Sequence, residues 1–151
     1  MPNQKPPTCQ GCPLYGDGLG WVPDVLRPVS TLVITMFPTT YEATRGVPRV
    51  GVTVDKYVAD YERYAGSEPL SYANVVRCRA QRGTKLPTGV KLREGALFCR
   101  QYDIIPPETK VLVFQGEDVV KHLAPDVPKP LTWRGFLLQK GDINHERPND
   151  F

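Results

Sequence analysis

Four cysteines are the residues of this sequence whose types and spacing are best suited to chemistry: Cys9, Cys12, Cys78 and Cys99. Cys9 and Cys12 form a C-x-x-C pair, from which two thiolates can reach one metal centre across a tight turn. The other two are single, since 65 residues separate Cys12 from Cys78 and 20 separate Cys78 from Cys99. Structural zinc sites usually combine two paired motifs, whereas an iron–sulfur cluster accepts thiolates from distant segments. The spacing favours a 4Fe-4S cluster and leaves zinc, or cysteines without a ligand, as alternatives.

A basic segment surrounds the third cysteine. Six basic residues and no acidic residue lie in this segment, which leaves 13 basic and 16 acidic residues for the rest of the chain. The six are Arg77, Arg79, Arg82, Lys85, Lys91 and Arg93. Clustered positive charge on a nearly neutral body is typical of phosphate contact, so these residues are candidate DNA-binding residues. A solvated loop that meets scattered carboxylates is the alternative.

Length and composition indicate one ordinary globular domain. The 151 residues are 40% hydrophobic and 23% charged, and the length is sufficient for a buried core without disulfides. The sequence lacks a run of 18 apolar residues, and its first residues, MPNQKPPT, lack the apolar stretch of a signal peptide. We therefore expect a cytoplasmic monomer with no membrane association and with reduced cysteines.

Short apolar runs alternate with helical patterns along the chain. The sequence predicts strands at 31–37, 72–76 and 110–116, and helices at 53–65, 92–102 and 117–123. Another strand or hairpin is expected after Pro130. This alternation predicts a single three-layer α/β/α domain over 1–151 with a central, mostly parallel sheet. In such sheets the loops after the carboxyl ends of the strands build the site, and here these loops begin at Phe37, Arg77 and Gln115.

Several motifs resemble one known family, the iron–sulfur (family 4) uracil-DNA glycosylases. CQGCPL is similar to the family's amino-terminal pair of cluster cysteines, and NVVRCRAQ at 74–81 to its strand ending N-V-V-K-C-R-P-P. GVPRVG at 46–51 resembles its G-x-P-F-V-G loop, while FQGEDVVKHL and WRG resemble later elements. The resemblance implies the uracil-DNA glycosylase fold and DNA as the partner. It also implies a 4Fe-4S cluster held by Cys9, Cys12, Cys78 and Cys99.

The positions that match the family's base pocket carry altered residues. The family's G-E-A-P-G falls on 35–39, where Met36 replaces the water-handling glutamate, Phe37 follows it, and the proline remains as Pro38. A related branch has G-M-N-P-G there, with asparagine at the position of Phe37. Arg49 stands where the family has its stacking phenylalanine, and an arginine can stack on a base or hold a phosphate.

Asn74 matches the asparagine that reads the pyrimidine edge in the family, since an amide presents both a donor and an acceptor. Its alternative role is that of a strand-end residue capping a turn. Glu42, expected in a loop, and His145 are the candidates for a replacement catalytic group. His145 lies earlier than the family's carboxyl-terminal histidine loop, so that loop is missing or the chain is the amino-terminal part of a longer protein.

The sequence therefore predicts a glycosylase-like iron–sulfur protein that binds DNA in repair or replication, with replication or repair proteins as further partners. The changes at Met36, Phe37 and Arg49 predict that the standard catalytic residues are absent. The alternative is an active, divergent glycosylase that removes uracil or another damaged base by N-glycosidic hydrolysis.

Overall fold

A computed structural model describes residues 5–16, 20–48, 63, 69–79, 89–99 and 105–123. Its elements are a 3-10 helix at Pro7–Cys9, β1 (Thr31–Thr35), α1 (Thr40–Arg45), β2 (Ser71–Asn74), α2 (Gly89–Cys99), β3 (Val111–Gln115) and α3 (Glu117–Leu123). Apart from residue 63, the helix expected at 53–65 lies outside this part of the chain, as does the element expected after Pro130. None of the helices within it is long and apolar enough to cross a membrane.

The three strands form a parallel sheet in the order β2-β1-β3. The middle strand has three consecutive buried residues, Leu32, Val33 and Ile34, as expected for a strand covered on both faces. The predicted α/β class with a parallel sheet is therefore confirmed. β2 begins one residue earlier than expected, at Ser71, and ends at Asn74; the N–H groups of the next two residues donate to the carbonyls of Thr35 and Met36, at and just after the end of β1.

Alternate residues of the central strand face two hydrophobic clusters. Leu32 and Ile34 belong to the larger cluster, together with Ala96 of α2 and Val119 of α3. Val33 points to the opposite face and packs with Leu70 and Tyr72. Because successive side chains of a strand alternate between faces, the continuous apolar run of β1 supplies both clusters.

A short helix that the sequence analysis did not predict follows β1. The side chain of Thr39 accepts a hydrogen bond from the backbone N–H of Glu42 at 3.2 Å, and the Glu42 carboxylate accepts one from the N–H of Thr39 at 2.7 Å. This reciprocal capping box fixes the start of α1, and Gly46 ends it in the left-handed conformation at φ 65°. The T-x-x-E pattern at 39–42 is the sequence signal for this helix.

Helix α2 packs closely on the loop that follows the C-x-x-C pair. Gly95 is buried in α2, and a Cβ atom placed on it would lie 2.8 Å from Cδ1 of Leu14. Leu14 is itself fully buried and belongs to the larger cluster. The missing side chain at position 95 therefore allows α2, which ends at Cys99, to approach the cysteine loop.

Candidate metal centre and the adjoining sheet edge

Three segments carry the four cysteines. Cys9 ends the 3-10 helix, and Cys12 lies in the following turn, where its N–H donates to the carbonyl of Cys9 at 3.0 Å. Cys78 follows β2, and Cys99 is the last residue of α2. Cys9, Cys78 and Cys99 are buried, Cys12 is partly buried, and none of the four forms a disulfide.

The four thiols lie close enough to influence one another electrostatically. Burial, together with negative charge on Cys99, Cys9 and Cys12, raises the pKa of Cys78 to about 12 against the lowering effect of Lys5. Burial likewise raises the pKa of Cys99 to about 11, against the lowering effect of its contacts with Arg77. Since each of the other three cysteines acts electrostatically on Cys78, the four thiols lie in one neighbourhood of the protein, and three of them are buried.

Lys5 crosses the cysteine loop and brings a positive charge to it. Its ammonium group donates to the carbonyl oxygens of Leu14 and Tyr15, each at 2.7 Å, and lies 5.9 Å from the centre of the Tyr15 ring. These contacts fold the segment before Cys9 over the turn that follows Cys12. A cation held here partly offsets the charge that thiolates would carry.

The donor set consists of thiols, which suits an iron–sulfur cluster or zinc. Four thiolates around one zinc ion, with Zn–S of about 2.3 Å, stand about 3.8 Å apart. Within the described ranges, no three cysteine, histidine, aspartate or glutamate side chains are arranged to hold a single metal ion. A 4Fe-4S cluster is larger than one ion, so its four ligands stand further apart than zinc ligands do.

Arg77 is buried next to the cysteines. Its side chain is 1% exposed and forms an ion pair with Asp24, with Nε 3.1 Å from Oδ2 of that carboxylate. Its second terminal nitrogen donates to the carbonyl of Cys99 at 3.0 Å, and its backbone N–H lies 3.5 Å from Sγ of Cys99. The prediction that Arg77 contacts DNA is therefore corrected, because its charge is neutralised inside the protein and is not available to a phosphate.

Asp24 was not identified from the sequence, and it joins the cysteine region to the sheet. Besides pairing with Arg77, its carboxylate accepts the backbone N–H of Asn74 at 3.2 Å. Burial raises its pKa above the ordinary value of 3.8, and the interactions with Arg77 and Asn74 offset part of that rise. The segment around it runs antiparallel to β2, with Val25 and Tyr72 exchanging two backbone hydrogen bonds. No motif marks such a residue, because its partner lies 53 positions away.

The other predicted DNA-binding residues differ in how far they reach solvent. Arg79 is partly buried, donates to the carbonyl of Pro38 at 3.1 Å and lies 5.0 Å from the centre of the Phe37 ring. Arg93 is exposed on α2. Lys91 belongs to the same helix, but its side chain is not among the described parts of the structure. Arg82 and Lys85 lie outside the described residues altogether. Among the described residues of the set, Arg93 is thus the exposed one, although it also interacts with another part of the protein.

A row of polar side chains lies at the carboxyl ends of the three strands. Thr35 pairs in register with Asn74 on one side and with Gln115 on the other. The hydroxyl of Thr35 donates to the side-chain oxygen of Asn74, whose side chain is buried apart from 7%. Gly116 follows at φ 107° with open space around the position of a Cβ atom. This edge is the one where parallel α/β sheets build their sites, as the sequence analysis expected.

The loop after β1 packs inward. Met36 belongs to the larger hydrophobic cluster, Phe37 packs against that cluster, and Pro38 is fully buried. Met36 therefore acts as a core residue at the position where the resembled family handles water. Arg49 and His145, predicted to form a pocket wall and a replacement catalytic group, lie outside the described residues.

Glu42 is a helix-capping residue. Instead of lying in a loop, as the sequence analysis expected, it occupies the third position of α1, is 5% exposed and accepts the N–H of Thr39. Its carboxylate also acts electrostatically on Arg79. This placement gives Glu42 a structural role, in which its Oε2 atom caps the start of α1.

Comparison with known proteins gives no match: no protein-family model matches the chain, and no curated protein sequence matches it either. The resemblance to iron–sulfur uracil-DNA glycosylases therefore stays a prediction.

Proposed function

We propose that this chain is a uracil-DNA glycosylase-like iron–sulfur protein that binds DNA in repair or replication without the family's standard catalytic residues. The observation that carries the proposal is the gathering of Cys9, Cys12, Cys78 and Cys99 in one neighbourhood, where three of them are buried and Cys12 is partly buried. Thiols that are distant in sequence and near in space are the arrangement that an iron–sulfur cluster requires.

The cluster, when bound by the four thiolates, would cross-link the amino-terminal loop, the segment after β2 and the end of α2. Contacts within the chain already hold two of these segments together, since Leu14 packs against α2 at Gly95 and Lys5 fixes the turn after Cys12. The proposed role of the centre is structural: it braces the basic segment that begins beside Cys78.

A binding role without hydrolysis is supported by the altered β1 loop. Base excision needs a group that positions water near the breaking glycosidic bond and a wall on which the flipped base stacks. Met36 is packed into the core, and the Glu42 carboxylate accepts the N–H of Thr39 at the start of α1, so both side chains already have structural contacts. DNA contact then depends on exposed basic residues, of which Arg93 is one.

Metal analysis tests the cysteine part of the proposal. Protein purified without air should be brown, absorb near about 400 nm and contain iron and acid-labile sulfide in equal amounts, because thiolates ligate an Fe-S cluster. The variants C78S and C99S should lose that absorption, whereas T44S, a change to serine at an exposed residue outside the centre, should retain it. A colourless protein with about one zinc per chain would show the opposite.

DNA binding tests the second part. Affinity for a short duplex and a single strand should fall steeply as salt rises, because bound cations are released from phosphate. R93A should reduce the slope of log affinity against log salt by about one, as the loss of one phosphate contact does. R27A, which removes an exposed arginine outside the basic segment, is the matched control and should leave the slope unchanged. A protein with no measurable affinity for either DNA contradicts the proposal.

The second candidate function is an active, divergent glycosylase, which the polar edge at Asn74 and Thr35 favours. An amide held by a hydroxyl at the carboxyl end of β2 could read a base edge. Cluster-loaded protein should then produce alkali-labile sites in uracil-containing single- or double-stranded DNA, and N74A should abolish them. Absence of strand scission at an enzyme concentration above that of the DNA would exclude this activity and leave the binding role.

A further inference from the structure

The ion pair between Asp24 and Arg77 connects the end of β2, after which Cys78 follows, with the end of α2, where Cys99 lies. The guanidinium of Arg77 donates to the carbonyl of Cys99, which is the last residue of α2. Its other nitrogens bind the carboxylate of Asp24, and that carboxylate accepts the N–H of Asn74 at the end of β2. A continuous chain of hydrogen bonds thus runs from the sheet through the ion pair to the fourth cysteine.

The backbone around Arg77 repeats this connection. The N–H of Arg77 lies 3.5 Å from Sγ of Cys99, and its carbonyl accepts the N–H of Val22 at 2.8 Å. The ring of Trp21 lies 5.8 Å from the guanidinium carbon, on the same amino-terminal segment as Asp24. The arginine is therefore held from three directions, and it holds Cys99 both at the sulfur and at the carbonyl.

Burial gives these contacts their strength. The side chains of Arg77 and Asp24 are 1% and 7% exposed, so water hardly competes for their hydrogen bonds. A buried ion pair is poor evidence of net stability, because removing two charges from water is costly. Its best supported uses are structural specificity and registration, which here would be the placement of one cysteine relative to another.

We propose that the Asp24–Arg77 pair is the positioning element of the cysteine centre, which holds Cys99 against the Cys78 segment before and after a cluster binds. The inference rests on the proposed function where it takes Cys99 as a cluster ligand. Arg77 acts through Cys99 and makes no bond to the cluster, so it is a positioning residue. Hydrogen-bonded partners behind metal ligands commonly determine how well the ligands are oriented.

Cysteine labelling tests the positioning independently of iron. The full-length chain, stripped of metal with a chelator, is treated with iodoacetamide, and the labelling rate of each cysteine is measured by mass spectrometry. R77M should increase the rate at Cys99 by about tenfold relative to the rate at Cys9, a ratio that corresponds to about 1.4 kcal/mol. Cys9 is the internal control, because it is equally buried on a different segment. R27M is the matched arginine control and should change neither rate.

Two further variants make the labelling result specific. R77K retains the positive charge but has a single ammonium group, so Cys99 should be protected from labelling better than in R77M and less well than in the unchanged protein. If the charge of Arg77 alone mattered, R77K would protect Cys99 completely. If R77M does not fold, D24N/R77M serves instead, since it leaves neither charge buried without its partner. Equal increases at Cys99 and Cys9 would indicate general loosening and overturn the proposal, as would no increase at either.

Iron retention tests the link to the cluster. Loss of iron to a chelator should be faster in R77M and in C99S than in the unchanged protein, and R77M/C99S should lose iron no faster than C99S alone. This non-additivity is expected when one residue acts through the other. Additive rates would show that Arg77 acts elsewhere and would overturn the proposal. A protein that holds no iron would refute the proposed function, while the labelling ratio would still decide whether Arg77 positions Cys99.

Discussion

The contact between Gly95 and Leu14 gives a sharp test of how α2 meets the cysteine loop. A Cβ atom at position 95 would lie 2.8 Å from Cδ1 of Leu14 and 3.8 Å from Cγ1 of Val76. Ordinary carbon–carbon contacts are about 3.5–4.0 Å, so G95A requires Leu14 or α2 to move by about 0.7–1.2 Å. Leu14 is fully buried, and any movement must displace its neighbours in the core.

The expected magnitude follows from two opposed effects. Overpacking a well-packed core costs about 1–3 kcal/mol. Alanine in place of glycine within a helix stabilises it by about 1 kcal/mol. G95A should therefore lower the free energy of unfolding by about 0–2 kcal/mol. L14A alone should lower it by about 2–5 kcal/mol, since it leaves a cavity. In G95A/L14A the methyl group at position 95 enters that cavity without a clash, so the double variant should lose less than the sum of the single variants.

Urea denaturation at equilibrium, with metal removed from every sample, measures these differences. The interaction free energy of the double-mutant cycle should exceed about 0.5 kcal/mol. G16A is the matched control, since Gly16 is exposed and has open space around the position of its Cβ atom, so its effect should stay within about 0.5 kcal/mol. A G95A protein stabilised by the full helix-propensity value, or additive single and double variants, would refute the close approach.

Three further outcomes are expected. T39A should lower the free energy of unfolding by about 0.5–2 kcal/mol through loss of the α1 cap, whereas T44A on the exposed side of the same helix should cost less; equal losses would contradict the capping role. Burial raises the pKa of Asp24 in the folded protein, so protonation of Asp24 favours folding. This contribution to the free energy of unfolding is fully present below the ordinary pKa of 3.8 and is lost as pH rises through the folded-state pKa. Urea midpoints of the unchanged protein should therefore fall relative to those of D24N as pH rises above about 4, and parallel curves would contradict this. R79Q should lower the free energy of unfolding by about 0.5–1 kcal/mol, and the loss should be smaller when Phe37 is already leucine, since the guanidinium lies over that ring as well as donating to the Pro38 carbonyl.

The sequence predicted the helices and strands with a clear hydrophobic pattern better than it predicted the ends of strands and the short connecting helix. The apolar run of β1 and the pattern of α3 located both elements, because each shows the hydrophobic pattern that its burial requires. The ends of β2 were misplaced, since Val75 and Val76 continue the apolar run while pairing with the backbone of the β1 loop. Helix α1 was missed because its six residues are too few to show a helical period, although its capping box was visible.

The parts of the candidate site that depend on residue type alone could be predicted from the sequence. The roles of residues that depend on a partner distant in the chain could not. The four cysteines could be grouped by spacing and motif. The role of Arg77 could not be, since the sequence around it reads as a solvated basic segment and its counter-charge at Asp24 is far away along the chain. Glu42 is a different case, because its capping role was readable from the local T-x-x-E pattern at 39–42 and was overlooked.

The strand order has a consequence for the protein during its synthesis. β1 lies in the middle of the sheet, yet both of its neighbours follow it in the chain, β2 beginning 36 residues after it ends and β3 beginning 76 residues after it ends. At about 5–20 residues per second, a ribosome leaves both edges of this apolar strand without partners for about 2–7 s, and one edge for about 4–15 s. Unpaired apolar edges invite association with other chains, so the nascent protein is most exposed to aggregation, and most in need of a chaperone, in this interval.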